Sequence, residues 1–209
     1  FQITGVNPIE GRELALLLRA GGLAAPLSAV EERAIGPTLG EKNIKQGVNA
    51  MVFGMLAAFI FMAVYYKVFG LIADVTLAAN VILLTALLSM LGAALTLPGI
   101  AAVVLTVGMA VDANILIYER IREELRIGVS PRAAITAGFE RAFSAIFDSN
   151  VTAFIAGLVL WLFGAGAVRG FAVVLMLGIA TSMFTAVMGS RALVQIIYGG
   201  KRKVDHLSI

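Results

Sequence analysis

From Gly47 to Tyr198 the chain is a succession of apolar segments of about 20 residues, joined by short polar or glycine-bearing links. Such segments are expected to fold as membrane helices, because in lipid the backbone must satisfy its own hydrogen bonds and a helix does so within one segment. Five are read, at about 47–66, 71–91, 99–118, 147–168 and 170–198, the last long enough to tilt or to run past the bilayer. The expected fold is an all-α polytopic membrane protein with five transmembrane helices. Composition agrees: 60% of residues are apolar and 14% charged, whereas soluble domains carry about 45–50% apolar residues.

Residues 1–45 differ in character. Asn7-Pro8-Ile9-Glu10 has the residues of a helix start: Asn7 can cap free amides, Pro8 is preset for the first helical position, and Glu10 sits near the positive end. Leu14, Leu17 and Leu18 make an apolar stripe, Gly21-Gly22 stops it, and the partly alternating stretch from Pro26 to Ile35 predicts a strand. One helix and one strand cannot enclose a core. Residues 1–45 are therefore expected to be the C-terminal remnant of an extramembrane α+β domain, and the chain the C-terminal part of a longer polypeptide.

Loop charges give an orientation. Lys67 follows the first span, Arg120, Arg122, Arg126, Arg132 and Arg141 follow the third, and Lys201, Arg202 and Lys203 open a tail at 201–209, which places these three regions in the cytoplasm. Residues 1–45 and the loops at 92–98 and 164–169 then lie on the outer side. Ser130-Pro131 opens a helix over about 130–146 in which Ile135, Phe139, Ala142, Phe143 and Ile146 oppose Arg132, Thr136 and Glu140. That amphipathic pattern predicts a helix lying along the cytoplasmic membrane surface, as a structural cuff or a docking element.

One acid breaks the apolar pattern deep inside a span. Asp112 follows the run Gly99–Val111 and is followed by Ala113–Tyr118 before the next charge. An aspartate at mid-membrane costs about 2.5–3.5 kcal/mol on insertion scales, so its expected surroundings are a partner or a water-filled path. Leaving water favours the protonated form of a carboxyl, and a proton crossing the membrane releases about 2.3 kcal/mol per 100 mV. Asp112 is thus read as a proton site; the competing reading is a permanently protonated group in an interhelical hydrogen bond.

Helical spacing puts Gly108 and Glu119 near the Asp112 face and Asn114 nearly opposite. In the last span Gly178, Ser182, Ala186 and Ser190 recur every four residues, beside Thr181, Thr185 and Gly189. That small-residue stripe suits close helix contact. The last span is the expected neighbour of Asp112, with Thr181, Ser182 and Thr185 as supporting hydroxyls. Asp148, Ser149 and Asn150 precede the fourth span and read as caps, or as a proton route from the cytoplasm; Asp74 falls in the first turn of the second span, where it is tolerated.

Enzymatic motifs are missing. The chain has no cysteine and one histidine, His206, so a metal centre or thiol chemistry has no ligands. Gly164, Gly166 and Gly170 miss the dinucleotide fingerprint by one residue, and no phosphate-binding loop, H-E-x-x-H or G-x-S-x-G is present. Two aspartates at different expected depths, Asp74 and Asp112, do not suit an intramembrane aspartyl protease. An enzyme is not expected.

The string from Gly108 to Glu124, GMAVDANILIYERIREE, resembles the signature of the SecD family of protein-export membrane proteins. Val30–Gly40, Ala142–Thr152, Phe163–Ala172, Gly178–Ala186 and the ending Tyr198–Arg202 are similar to it as well, in order along the whole chain. The resemblance implies spans two to six of a six-span half of the resistance-nodulation-division type, in the bacterial inner membrane, paired with a similar SecF half. It further implies use of the proton gradient to assist translocation of unfolded polypeptide beside the SecY/SecE/SecG channel, with YajC as an associate. Residues 1–45 would be periplasmic and the C-terminus cytoplasmic. Asp112 matches the family's membrane-embedded acid of the proton path, whose charged partners would come from SecF. Thr181, Ser182, Thr185, Asn150, Thr152 and Glu119 are the supporting polar candidates, and protons rather than a bound cofactor are the coupling species. One departure is visible: the family shows a second threonine where Ala153 follows Thr152. Two alternatives remain at this point, a proton-driven small-molecule exporter of the same superfamily and a scaffold subunit that moves no protons.

Overall fold

The structure, a computed structural model, describes residues 12, 15, 16, 37–92, 96–199 and 207–209. The chain divides into two units, Phe1–Ala34 and Ile35–Ile209. In the first, Arg12, Ala15 and Leu16 are helical, within the stretch where a helix is expected; the strand expected near 26–35 lies outside the described residues. The second unit is helical throughout its described elements: α1 (Pro37–Met90), α2 (Leu97–Arg126), α3 (Pro131–Phe163), α4 (Ala167–Ser182), a π-helical segment (Met183–Gly189) and α5 (Ser190–Gly199). Among the described residues four stretches, Lys42–Met90, Leu97–Arg126, Pro131–Phe163 and Ala167–Gly199, are long and apolar enough to cross a membrane.

The 54 residues of α1 would span about 80 Å if straight, but Lys67 leaves helical geometry (φ 51°, ψ −115°) and the chain reverses there. Gly47 lies beside Leu97 and Ile100, and Tyr66 bonds Glu119, so the first limb runs alongside α2 in the same direction. Phe69 packs on Tyr118 at 5.3 Å, while Leu84 and Leu88 share an apolar cluster with Ala102, so the second limb runs back. The turn is tight enough that a side chain at Gly70 would strike the backbone carbonyl of Met62. The helix also begins at Pro37, ahead of the expected membrane entry near 47.

The third expected segment, 99–118, lies inside α2, and the fourth is corrected. α2 continues past Tyr118 to Arg126, held as a helix by the Arg120–Glu123 and Arg122–Glu119 pairs at i,i+3. The amphipathic stretch at 130–146 is no separate surface helix: it is the first half of α3, which runs unbroken through the expected fourth span and stops at Phe163. The reason is packing. Phe139, Ala142 and Ile146 are buried in the cluster that includes Ile117, Tyr118 and Ile121, and Gly138 presses on Ile121, so protein covers the apolar face that membrane surface was expected to cover. An Arg141–Glu124 ion pair at 2.6 Å closes the same seam.

Aromatic rings knot the chain at the Lys67 end. Tyr66 tilts on Tyr118 at 5.5 Å, Phe69 stacks on Tyr198 at 5.4 Å, and the Arg122 guanidinium lies 4.6 Å from the Tyr65 ring centre. Arg122 and the Tyr66 hydroxyl both donate to Glu119 Oε1, at 2.9 and 3.0 Å. α3 is the least enclosed of the long helices: 17% of its most apolar window is buried, against 50% for α2.

Candidate functional site

α2 presents two different faces, and its sequence decides both. It starts at Thr96, whose Oγ1 accepts from the Gly99 amide at 3.2 Å, with Pro98 preset in the first turn. Its inner face carries Thr106, Ala110, Ala113, Asn114, Ile117 and Tyr118, all buried. Gly178 of α4 lies against Thr106, and Tyr118 Oη sits 3.3 Å from Ser190 Oγ of α5. Asn114 Nδ2 donates to the Ala110 carbonyl at 3.1 Å, while its Oδ1 is shut off from solvent without a partner.

Asp112 is two residues earlier, roughly 200° around the helix, and it is exposed. It opens onto a crevice of about 140 Å³ between α2 and α3, walled by Met109, Leu116 and Ile146 and carrying Ser149 and Asn150 on the far side. Asn150 is 8% exposed, and its Nδ2 donates to the Ile146 carbonyl at 2.7 Å. Ser149 Oγ donates to the same carbonyl at 3.0 Å. None of the residues lining the crevice is basic. The carboxyl therefore meets an apolar wall, one amide and one hydroxyl, and none of the described residues gives it a counter-charge there.

The structure brings Asn150 to Asp112 and leaves the other supporting candidates elsewhere. Thr181, Ser182 and Thr185 are buried on the inner side: Thr181 Oγ1 lies 2.9 Å from Asn80 Oδ1, Ser182 Oγ bonds the Ile179 carbonyl, and Thr185 Oγ1 bonds the Thr181 carbonyl. The last span packs on the Thr106 face of α2, because Gly178 meets Thr106; the expectation that it would be the neighbour of Asp112 is corrected. Gly108, expected to admit a helix beside Asp112, has open space where a side chain would be and borders a cleft of about 220 Å³ shared with Met51, Gly54, Met55 and Ala58. Glu119 belongs to the Tyr66–Arg122 knot. Thr152 is exposed and bonds the Asp148 carbonyl at 2.9 Å.

Asp148, Ser149 and Asn150 cap nothing, since α3 passes straight through them. Ser149, read in the sequence with Asp148 and Asn150 as a cap or as part of a proton route from the cytoplasm, lines the crevice. The Gly138–Ile121 contact between the antiparallel α2 and α3 sets the register that brings Ser149 level with Asp112, and that pairing of helices cannot be read from the sequence. Among the described residues no group of three His, Cys, Asp or Glu is placed to hold a metal ion.

Comparison with known proteins identifies relatives along nearly the whole length. The family described as protein export membrane protein SecD/SecF, C-terminal, matches residues 22–199. The protein translocase subunit SecD of Pseudomonas aeruginosa is 58% identical over 202 residues, covering 96% of this chain and 33% of that protein. The Escherichia coli K12 protein of the same name is 54% identical over 211 residues, covering 100% of this chain and 34% of that one. Among solved structures, SecDF from Thermus thermophilus, described as a translocon-associated membrane protein, is 43% identical with a TM-score of 0.77, covering 98% of this chain and 29% of its own. The chain thus spans about a third of the length of the curated relatives it matches.

Proposed function

Because the chain belongs to the SecD/SecF family of protein-export membrane proteins, we propose that it is the proton-coupled membrane part of a SecD-type translocase subunit of the bacterial inner membrane. In this reading the two limbs of α1 cross the bilayer separately, which with α2, α3 and the α4–α5 stretch makes five spans. Residues 1–45 belong to an α+β periplasmic domain and the C-terminus is cytoplasmic. Asp112 takes and gives up the proton. A SecF-type half supplies its counter-charge, the SecY/SecE/SecG channel with YajC is the assembly served, and unfolded polypeptide is the cargo.

The observation that carries the reading is the placement of Asp112. A carboxyl in the middle of a membrane helix, costing about 2.5–3.5 kcal/mol if left to lipid, lies on a face the described residues leave open, above a crevice whose described lining holds no cation. A second membrane half seated there would bury the group and supply the missing charge. Protonation would then change the attraction across that boundary, which can bias two arrangements of the halves by no more than the difference in their proton affinity.

The test is Asp112→Asn in the full-length protein with its partner half, assayed for protein export into inverted vesicles with and without a proton gradient. Asparagine nearly preserves shape and cannot release a proton. The expected result is loss of the gradient-stimulated portion of export, with the gradient-independent portion and complex assembly retained. A full gradient response in the variant would establish a scaffold role instead.

A further inference from the structure

The crevice beneath Asp112 holds two polar side chains, and both have already spent their protons. Asn150 Nδ2 and Ser149 Oγ donate to one carbonyl, that of Ile146, at 2.7 and 3.0 Å. A carbonyl oxygen only accepts, so the amide has one orientation: Nδ2 lies toward the backbone of α3, and Oδ1 is left as an acceptor at the other end. Turning the amide over would set Oδ1 against the Ile146 oxygen, two acceptors at hydrogen-bond distance, in a side chain too buried to turn to water instead. Ser149 is exposed and its hydroxyl can rotate, so Asn150 is the fixed one of the two.

No other described group in the crevice competes. Apart from Asp112, none of its lining residues titrates. Glu119, two turns further along α2, is taken by the Tyr66 hydroxyl and by Arg122. Asp148 is exposed, and it lies roughly 160° around α3 from Asn150. The first limb of α1 brings Met51, Gly54, Met55 and Ala58 to the neighbouring cleft, and none of these is charged. A group that only accepts can bond a protonated carboxyl, which donates through its O–H; it offers nothing to a carboxylate, which only accepts as well. A hydrogen bond made to the neutral form of an acid favours that form.

We propose that Asn150 is the positioning residue for the protonated form of Asp112. Its Oδ1 accepts directly from the carboxyl O–H and holds the loaded side chain in the crevice. The carboxylate finds no donor in that amide and is released toward the counter-charge across the boundary. Proton and partner charge thus become alternative occupants of one carboxyl, and the amide decides which way the group turns. The inference rests on the reading of Asp112 given above and deepens it. The bond must be direct, because a bridging water would donate to both oxygens and erase the preference.

The test uses the full-length protein with its partner half in lipid vesicles, followed by infrared spectroscopy over a range of pH. The Asp112 carboxyl band is identified by subtracting the spectrum of Asp112→Asn. Asn150→Leu keeps the size and removes the acceptor. It is expected to move the band to higher frequency, as for a carboxyl freed of a hydrogen bond, and to move its protonation midpoint down by about half to one pH unit, the roughly three- to tenfold worth of one hydrogen bond. Asn150→Thr is expected to recover part of both shifts, since its hydroxyl can bond the carbonyl four residues back, as Thr152 bonds Asp148, and still accept. A purely structural amide would alter the amount of assembled complex and leave band and midpoint in place. Unchanged band and midpoint in Asn150→Leu would overturn the proposal, and so would a raised midpoint, the mark of an amide or bridging water that donates to the carboxylate. A band that never titrates would sink the proton-coupling reading and leave the frequency shift to decide this one, whereas absence of a protonated band at every pH would overturn both.

Discussion

Gly178 offers the sharpest test of how α2 is held. A methyl group there would overlap Thr106 at three atoms, with Cβ at 2.6 Å and Oγ1 at 2.8 Å and Cγ2 nearer still. Ordinary carbon contacts lie at about 3.5–4.0 Å, so the helices would have to part by about 1 Å. Thr106 cannot swing clear: it is 1% exposed, β-branched, and tied by Oγ1 to the Val103 carbonyl at 2.9 Å. Overpacking of this kind costs about 1–3 kcal/mol, and three overlapping atoms on a stiff side chain put Gly178→Ala near the top of that range. The geometry also sets an order for rescue. Thr106→Ala removes two of the three atoms but leaves Cβ, so it restores stability in part. Thr106→Gly removes all three and restores more, less the roughly 1 kcal/mol that a helical glycine costs. Steric trapping or denaturant unfolding of the full-length protein in detergent reads these differences. A Gly178→Ala protein as stable as the parent, or a double variant no better than the single, would refute the close α2–α4 contact.

Two further substitutions probe backbone and hydrogen bonding. Lys67 holds a positive φ at the reversal of α1, a strain of about 1–3 kcal/mol for a residue with a side chain; Lys67→Gly should raise thermal stability by about 1 kcal/mol after the greater freedom of glycine in the unfolded chain is deducted, and a lower melting temperature would contradict the strained turn. Thr181→Val removes the hydroxyl that lies 2.9 Å from Asn80 Oδ1; because hydrogen bonds between membrane helices average about 0.6 kcal/mol with a maximum near 1.7, the loss should stay well below that of Gly178→Ala, and Thr181→Ser should recover it in the same unfolding assay.

What could be read from the sequence divides along physical lines. The membrane helices were legible because 20-residue apolar runs allow one solution in lipid, and the opposition of Asp112 to Asn114 follows from helix geometry alone. Where helices end was less so. The span read as 99–118 says nothing of where its helix stops, and the helix continues to Arg126, where Glu119, Arg120, Arg122 and Glu123 pair with one another at its surface. The stretch 130–146 looked like a surface helix because periodicity reports an apolar face without saying what covers it, and Ile121, which does the covering, lies on another helix. The same ambiguity misplaced the last span. Its small-residue stripe implied close contact, but Gly108 and Thr106 were equally open as the other partner, and the choice of Thr106 depends on the turn geometry of the intervening chain.

These two faces of α2 explain why its acid and its amide have separate fates. Asn114 is buried on the inner face of α2, where its Nδ2 is spent on the Ala110 carbonyl and its Oδ1 has no partner. Asp112 opens onto the crevice between α2 and α3, and α3 is the least enclosed of the described long helices. A titrating carboxyl needs access for the proton and freedom for its surroundings to rearrange, and the inner face provides neither. Moving the acid to the inner face, as in Asp112→Ala combined with Asn114→Asp, should therefore leave a buried unpaired carboxyl that lowers stability by about 1–3 kcal/mol without restoring gradient-dependent export. Recovery of export by that double variant would show that position on the helix face is immaterial, and the argument from the open face of α2 would fail.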